Sequence, residues 1–266
     1  MGREVRWSKQ IPDIRFSTEQ IERALREGFS QVQMPVETVM GEGGASWKKY
    51  GNVYEVFDSP LPKDVRVTER GFNVYTWTEY MNTALSRLAE MGCRTLVWAD
   101  GKARLLPVEG ETAVLKEQFY QFLFILAGIA ERFGITVCLE PLSSKRTNFL
   151  NSFPEVLECI GRVDRKNIAL SVGLRTLHEI ASEEQGSVGG SVYEPLFTYR
   201  DRIAHVHMEH PKQALQWVAP RPSDGVEYGD FFSALKKSGY TGVITLPPDA
   251  DAESLAYCKR LWNQVS

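Results

Sequence analysis

The clearest structural signal in the sequence is GITVCLEPL at residues 134–142. Before it, apolar residues with helical spacing run over residues 114–133, and Gly134 is a typical helix stop. Within it, residues 136–140 form a short and mostly apolar run that predicts a strand. A helix that leads directly into a short buried strand is the unit from which parallel sheets are built.

The same alternation of short β-branched runs and helical stretches extends in both directions along the chain. A capping-box pattern, STEQ at residues 17–20, starts the first helix, and Gly28 ends it. The predicted strands are residues 4–7, 31–35, 53–57, 95–99, 136–140, 168–172, 203–208 and 242–246. Eight strands that alternate with helices in 266 residues predict an α/β protein built as a single (β/α)8 TIM barrel.

The composition excludes several classes of protein. With 43% hydrophobic and 24% charged residues, the chain can bury a large core and differs from disordered proteins. The net charge of −3 and the lack of Lys/Arg runs argue against nucleic acid as a general partner. Because the first residues are polar and no window approaches 18 consecutive apolar residues, we expect a cytoplasmic protein without a membrane partner.

The four cysteines are widely separated along the chain and show no paired spacing. They are Cys93, Cys138, Cys159 and Cys258. Neither a zinc site nor a disulfide framework is indicated by this arrangement. We expect buried, reduced thiols.

Four segments at predicted strand ends carry a family pattern. They are GITVCLEPL with the following Thr147 and Asn148, IAHVHME at 203–209, GYTGVI at 239–244 and VWADGKAR at 97–104. Together they resemble the xylose-isomerase-like TIM barrel superfamily of sugar and sugar-phosphate isomerases and epimerases. The resemblance implies one barrel domain over residues 1–266, a small-molecule sugar or sugar-phosphate ligand, and proton transfer next to a sugar carbonyl.

The resemblance also implies a metal site, and this chain has two of its four ligand residues. In the family, Glu, Asp, His and Glu from strands five to eight hold a divalent metal. Glu140 matches the first ligand and His207 the histidine, whereas Gly173 and Pro247 stand at the other two positions and cannot coordinate. We therefore expect a degenerate metal site and no cofactor. The sequence leaves open whether a site is rebuilt by neighbouring donors, namely His178, Glu179 and Asp249.

The candidate catalytic residues are Glu140 and His207. Glu140 ends a buried strand, where an unpaired carboxylate is costly, and its alternative role is an ion pair with a neighbour such as Lys145. The alternative for His207 is a core histidine that is hydrogen-bonded to the backbone. We assign His205 and His207 to opposite faces of the seventh strand, so that only one of them points into the barrel.

The candidate substrate-binding residues are mostly cationic side chains of strand-end loops. Arg146 and Arg175 stand at or beside positions where the family has site residues, and a guanidinium holds phosphate or carboxylate in a two-point fork. Their alternative role is that of solvated loop charges. The full set is Arg146, Arg175, Asn148, Lys145, Arg104 and Trp98, with Trp47 and Trp217 as further tryptophans suited to stacking on a sugar.

Two functions remain open from the sequence. The first is a sugar isomerase or epimerase in which Glu140 is the base and Arg146, Arg175 or His207 polarises the substrate oxygen. The second is a catalytically silent barrel that binds a sugar-like or anionic small molecule. The sequence names neither the substrate nor the oligomeric state, and a homo-oligomer is compatible with it.

Overall fold

Residues 4–12, 17–41, 49–184, 191–212 and 218–266 are described by the computed structural model. Within them, eight parallel strands follow one another in sequence order and close into a barrel, which confirms the predicted (β/α)8 fold. The strands are β1 (Arg6–Gln10), β2 (Gln31–Pro35), β3 (Val56–Asp58), β4 (Thr95–Trp98), β5 (Thr136–Leu139), β6 (Ile168–Gly173), β7 (Ile203–His207) and β8 (Val243–Leu246).

Helices connect these strands along the chain. They are α1 (Ser17–Arg26), α2 (Val74–Glu90), α3 (Thr112–Arg132), α4 (Phe153–Val163), α5 (Leu174–Glu184), α6 (Glu194–Thr198), α7 (Tyr228–Lys237) and α8 (Ala252–Gln264). Short 3₁₀ helices occur at Val36–Met40, Lys102–Arg104 and Arg200–Arg202. Trp47 and Trp217, which the sequence proposes as sugar-stacking residues, lie outside the described residues.

The chain divides into two compact units. Pro35–Leu170 is called here the central unit, and Met1–Met34 together with Ser171–Ser266 is called the terminal unit. The assignment of one domain to residues 1–266 stays a prediction.

In the terminal unit, side chains alternate between the helices and the barrel interior. Trp7 of β1 packs edge-to-face against Phe232 of α7, with ring centroids 6.0 Å apart, so Trp7 faces the helices. Its neighbour Ser8 therefore faces the interior, because successive side chains of a strand point to opposite faces. Ser8 pairs with Thr245 of β8, which in turn pairs with His207 of β7. These three polar side chains thus share one interior layer.

In the central unit, the same alternation directs Glu140 inward. Trp98 of β4 packs against Phe119 of α3 with ring centroids 5.0 Å apart, so Trp98 faces the helices. The residue before it, Val97, faces the interior and pairs with Cys138 of β5. Glu140 follows Cys138 by two residues and takes the same side of the chain.

Helix α3 is the one described helix that is long and apolar enough to cross a membrane by length and composition alone. Leu115, Phe119, Leu123 and Leu126 are among its buried residues, and the helix packs against α2, α4 and β5. Packing in the barrel therefore accounts for its apolar character.

The four cysteines are free and buried, as the sequence predicts. Burial raises the pKa of Cys93 and of Cys159 to about 12 each, and it also raises the pKa of Cys138 and Cys258. Because the thiolate is the nucleophilic form, these thiols are inert at neutral pH.

Asp251 caps the amino terminus of α8, and its carboxylate makes the stability of the folded state depend on pH. Its Oδ1 accepts hydrogen bonds from the backbone N–H of Ser254 at 2.9 Å and from its hydroxyl at 3.0 Å. The backbone hydrogen bond from Ser254 is the largest cause that lowers the pKa of Asp251 from 3.8 to about 2, and Arg221 adds to it. A carboxylate with a lowered pKa stabilises the folded state above its unfolded pKa and loses that contribution as the pH falls.

We expect Asp251→Ala to lower the free energy of unfolding by about 1 kcal/mol at neutral pH, because an N-cap is lost. Asp251→Asn keeps the cap but removes the titrating group. Its stability should therefore lack the loss that is expected of the natural chain as the pH falls from about 3.8 to about 2. Urea unfolding across this pH range measures both effects. If Asp251→Asn and the natural chain lose stability in parallel, the cap does not depend on the charge of Asp251.

Candidate active site at the carboxyl ends of the strands

Glu140 and Arg104 lie together in the interior of the central unit. Glu140 follows β5 directly, and its backbone N–H donates to the carbonyl oxygen of Trp98 at 3.3 Å. Arg104 ends the 3₁₀ helix Lys102–Arg104, and its Nη2 donates to the carbonyl oxygen of Glu140 at 2.6 Å. Both residues have 0% exposure. Two opposite charges are therefore buried at the carboxyl end of β5.

The environment of Arg104 is unusual for a guanidinium. Burial lowers the pKa of Arg104 to about 10, and the negative charge of Glu140 opposes that shift. Its Nε and Nη1 atoms have no hydrogen-bond partner among the described residues. Buried N–H groups without an acceptor are rare because they cost free energy, and they commonly mark positions that serve binding or catalysis.

A glycine allows the two loops of this site to approach each other. Gly101 lies in the loop after β4, and a Cβ at this position would lie 2.7 Å from the carbonyl oxygen of Arg146 and 3.2 Å from Cβ of Thr147. Any larger residue at position 101 would therefore push the loop after β5 away. The close packing of these two loops is compatible with the hydrogen bond between Arg104 and Glu140.

The other predicted site residues of the central unit have different surroundings. The amide of Asn148 clamps Leu106, accepting from its backbone N–H and donating to its carbonyl oxygen, both at 2.9 Å. Trp98 is fully buried against Phe119, which places it in the core instead of on a sugar-binding surface. Lys145 is exposed and Arg146 is half-buried.

In the terminal unit, the two histidines of β7 share the barrel interior. The rings of His205 and His207 lie 4.7 Å apart at an interplanar angle of 80°, and both side chains are buried. The assignment of the two histidines to opposite faces is wrong, because residues two apart in a strand point to the same face. His207 Nε2 lies 3.0 Å from Nε2 of Gln33, a contact in which the amide donates and the ring nitrogen accepts.

Two buried hydroxyl side chains, Ser8 and Thr245, lie beside His207 in the barrel interior. Ser8 Oγ, Thr245 Oγ1 and both ring nitrogens of His205 have no hydrogen-bond partner among the described residues. Burial, with a smaller contribution from His207, holds the pKa of His205 well below its usual value, so its ring is neutral. A neutral imidazole and two hydroxyls can each donate and accept, which suits the hydroxyl groups of a ligand.

Arg175 forms a buried ion pair with a residue of its own helix. Its Nε donates to Oε1 of Glu179 at 2.8 Å, and the two side chains are only 6% and 11% exposed. Arg175 is therefore neither a solvated loop charge nor an unpaired cation at the barrel mouth. Glu179 offsets its positive charge.

The residues present do not fit the divalent metal that the family resemblance implies. Strand β6 ends at Gly173, and Pro247 follows β8, so both positions lack a donor atom. The described part of the chain holds no group of three or more His, Cys, Asp or Glu side chains placed to bind a metal.

The neighbouring donors take part in other contacts. Glu179 pairs with Arg175, and Oδ1 of Asp249 accepts from the backbone N–H of Ala219 at 2.9 Å. His178 Nε2 lies 3.5 Å from the hydroxyl of Tyr193, and burial lowers the pKa of His178. Their contacts give no sign of a rebuilt metal site.

Comparison with known proteins points to one family. A family model described as xylose isomerase-like TIM barrel matches residues 76–260. A ketose 3-epimerase from Arthrobacter globiformis is 25% identical over 166 residues, which cover 62% of this chain and 53% of that protein. The matched region thus spans about half the length of this relative.

Solved structures of sugar epimerases share the fold. The 3-keto-D-glucoside 4-epimerase from E. coli has a TM-score of 0.73 at 17% identity and covers 97% of this chain and 100% of that chain. A D-psicose 3-epimerase crystallised in the presence of D-fructose has a TM-score of 0.76 at 14% identity, covering 97% and 99%. An L-ribulose 3-epimerase has a TM-score of 0.74 at 16% identity, covering 99% and 95%. At these identities the likeness shows the fold.

Proposed function

We propose, because this chain belongs to the xylose isomerase-like TIM barrel family, that it is a sugar or sugar-phosphate isomerase or epimerase. One observation carries the proposal most directly. Glu140 is a fully buried carboxylate at the carboxyl end of a barrel strand. The guanidinium of Arg104, which is also fully buried, donates a hydrogen bond to the main-chain oxygen of Glu140. Barrel enzymes place their catalytic groups at this end of the strands.

The proposed chemistry is proton transfer next to a sugar carbonyl. Such a step needs a base near the carbon that loses the proton and a donor near the oxygen on which negative charge develops. Glu140 is the proposed base. Arg104, whose charge interacts with that of Glu140, is buried beside it.

The terminal unit supports a hydroxyl-bearing ligand independently. Its buried interior side chains Ser8, Thr245 and His205 offer uncharged donors and acceptors. A sugar presents many hydroxyl groups, each of which can donate and accept. The reaction proposed here uses no bound metal, because the residues at the family's ligand positions do not fit one.

A second candidate is a catalytically silent barrel that binds a sugar-like or anionic molecule. It is favoured by Gly173 and Pro247, which occupy two of the family's ligand positions without a donor atom. For either candidate we propose a cytoplasmic protein, because free buried thiols are typical of reducing compartments.

Deuterium incorporation tests the proposed activity. A panel of ketoses and ketose phosphates is incubated with the protein in D2O, and NMR detects exchange at the carbons next to the carbonyl. We expect exchange with the natural chain and a loss of about 100-fold in Glu140→Gln, the size typical of a removed general base. Glu79→Gln, on the exposed face of α2, is the matched control and should exchange as the natural chain does.

The outcomes separate the two candidates. A ligand of the panel that raises the melting temperature without any exchange supports the silent barrel. Exchange that is equal in Glu140→Gln and Glu79→Gln removes Glu140 from the base role. A panel that neither exchanges nor stabilises the chain contradicts both candidates.

A further inference from the structure

A second buried carboxylate, Asp58, lies in the central unit besides Glu140. Asp58 ends β3 and is 6% exposed, whereas Glu140 follows β5 and is 0% exposed. In the described part of the central unit, these two are the carboxylates that are buried. Burial of a carboxylate costs free energy, and barrel enzymes place catalytic groups at this end of their strands. Asp58 is therefore a candidate for the same site as Glu140.

The register of the strands places both carboxylates on one face of the sheet. Val97 of β4 faces the interior, and it pairs with Asp58 of β3 on one side and with Cys138 of β5 on the other. Residues that pair across neighbouring strands share a face, so Asp58 faces the interior as Val97 and Glu140 do. Because β4 alone separates β3 from β5, the main chains of these two strands are about 10 Å apart. This spacing leaves room for a small ligand between two inward side chains.

The backbone bends sharply immediately after Asp58. Ser59 has a φ of 49°, a left-handed value that is uncommon for residues other than glycine. Its backbone N–H donates to the carbonyl oxygen of Val97 at 3.1 Å, so the pairing of β3 with β4 continues through this residue. Strained backbone of this kind clusters at active sites, where the surrounding structure holds it in place. The strain at Ser59 supports a functional role for the end of β3.

The number of acid–base groups decides which reaction a site can perform. Inversion at a carbon next to a carbonyl requires one group that removes the proton from one face and a second that returns a proton to the other face. In this chain Gly173 and Pro247 stand where the family has two of its carboxylates. A second acid–base group must therefore come from another position.

We propose that Asp58 is this second acid–base group and that the chain is an epimerase, which rests on the proposed function of Glu140 as a base. Glu140 takes the proton from one face of the carbon, the electron pair of that C–H bond forms the double bond of an enediolate, and the carbonyl oxygen takes the negative charge. The carboxyl group of Asp58 donates its proton to the other face of the same carbon, and the carbonyl re-forms. Glu140 is then protonated and Asp58 ionised, and proton exchange with water restores both. In the reverse direction the two groups exchange roles.

Deuterium exchange, followed separately for each epimer, tests the proposal. The substrates are D-ribulose and D-xylulose, which differ only in configuration at carbon 3, and their 5-phosphates, each incubated with the full chain in D2O. NMR measures both the exchange at carbon 3 and the fraction converted to the other epimer. Asp58→Asn removes the acid–base group with almost no change in volume. Asp64→Asn is the matched control, because Asp64 is exposed in the loop that follows β3.

We expect Asp58→Asn to slow inversion by about 100-fold, the size typical of a removed acid–base group. It should still exchange the epimer whose proton faces Glu140 and should lose exchange in the other epimer. Glu140→Gln should show the opposite pattern, since its loss of exchange concerns the epimer whose proton faces Glu140. Asp58→Glu keeps a carboxyl group and should recover part of the inversion, whereas Asp64→Asn should match the natural chain with both epimers.

The outcomes distinguish this proposal from the proposed function. Inversion at the natural rate in Asp58→Asn overturns the role of Asp58 and leaves Glu140 as the base. An equal loss of exchange with both epimers in Asp58→Asn, without any recovery in Asp58→Glu, also overturns that role. A natural chain that exchanges one epimer and never inverts it is an isomerase with a single base, which overturns this proposal alone. A natural chain that exchanges neither epimer overturns the proposed function as well.

Discussion

Replacing Arg104 with alanine is expected to lower the free energy of unfolding by about 3 to 5 kcal/mol, the usual cost of truncating a large, fully buried side chain. The substitution takes away the donor to the main-chain oxygen of Glu140 and the positive charge beside its buried carboxylate. It also leaves a cavity where a fully buried long side chain stood. Urea unfolding with far-ultraviolet circular dichroism measures the change.

Two variants make this result specific. Arg162→Ala removes an arginine that is 57% exposed and paired with Glu117, and we expect it to cost no more than about 1 kcal/mol. Arg104→Lys keeps the charge but not the planar guanidinium, so its free energy of unfolding should lie between those of the natural chain and Arg104→Ala. If Arg104→Ala is as stable as Arg162→Ala, the buried Arg104 side chain does not stabilise the central unit.

The fold was accessible from the sequence because its strands are short apolar runs between clear helix signals. The predicted strand 31–35 matches β2, and the strands from β4 to β8 agree within one residue at each end. The first strand was predicted at 4–7 but spans Arg6–Gln10. Its register was obscured because Ser8 faces the polar barrel interior and Lys9 is buried in an ion pair with Glu27 at 2.7 Å.

The third strand was also predicted at a shifted position. Residues 53–57 were predicted, and Val56–Asp58 is observed. Asp58 is buried at the end of this strand, whereas an acidic residue in a sequence indicates a loop. Polar residues that face a barrel interior therefore shorten or shift a strand that is predicted from hydrophobicity alone.

The candidate site was accessible only in part, because its contacts are long-range. The position of Glu140 followed from the end of a strand, but Arg104 lies 36 residues earlier and was grouped with loop charges. The clamp between Asn148 and Leu106 joins residues 42 apart, and nothing local indicates it. The pair of Arg175 and Glu179 was different, since its i,i+4 spacing on a helix is a sequence signal that predicts an ion pair.

Restoring the family's two missing carboxylates is expected to create a metal site. We expect the purified natural chain to hold a divalent metal well below one equivalent. The double variant with Gly173→Asp and Pro247→Glu should bind Mn²⁺ or Co²⁺ on the order of 1,000-fold more tightly, because oxygen donors suit these ions. Each single variant should gain far less, since ligands of one coordination shell act together.

Calorimetric titration with Mn²⁺ measures these affinities. Elemental analysis after purification measures the metal content of the natural chain. His207→Ala in the background of the double variant is the control, and it should remove most of the gain if His207 supplies the histidine ligand. Metal binding also raises the melting temperature by mass action, which gives a readout that needs no substrate. One equivalent of tightly held metal in the natural chain contradicts the argument from Gly173 and Pro247. A folded double variant that gains no affinity shows that these two positions, at the end of β6 and after β8, are not those that the family uses to hold its metal.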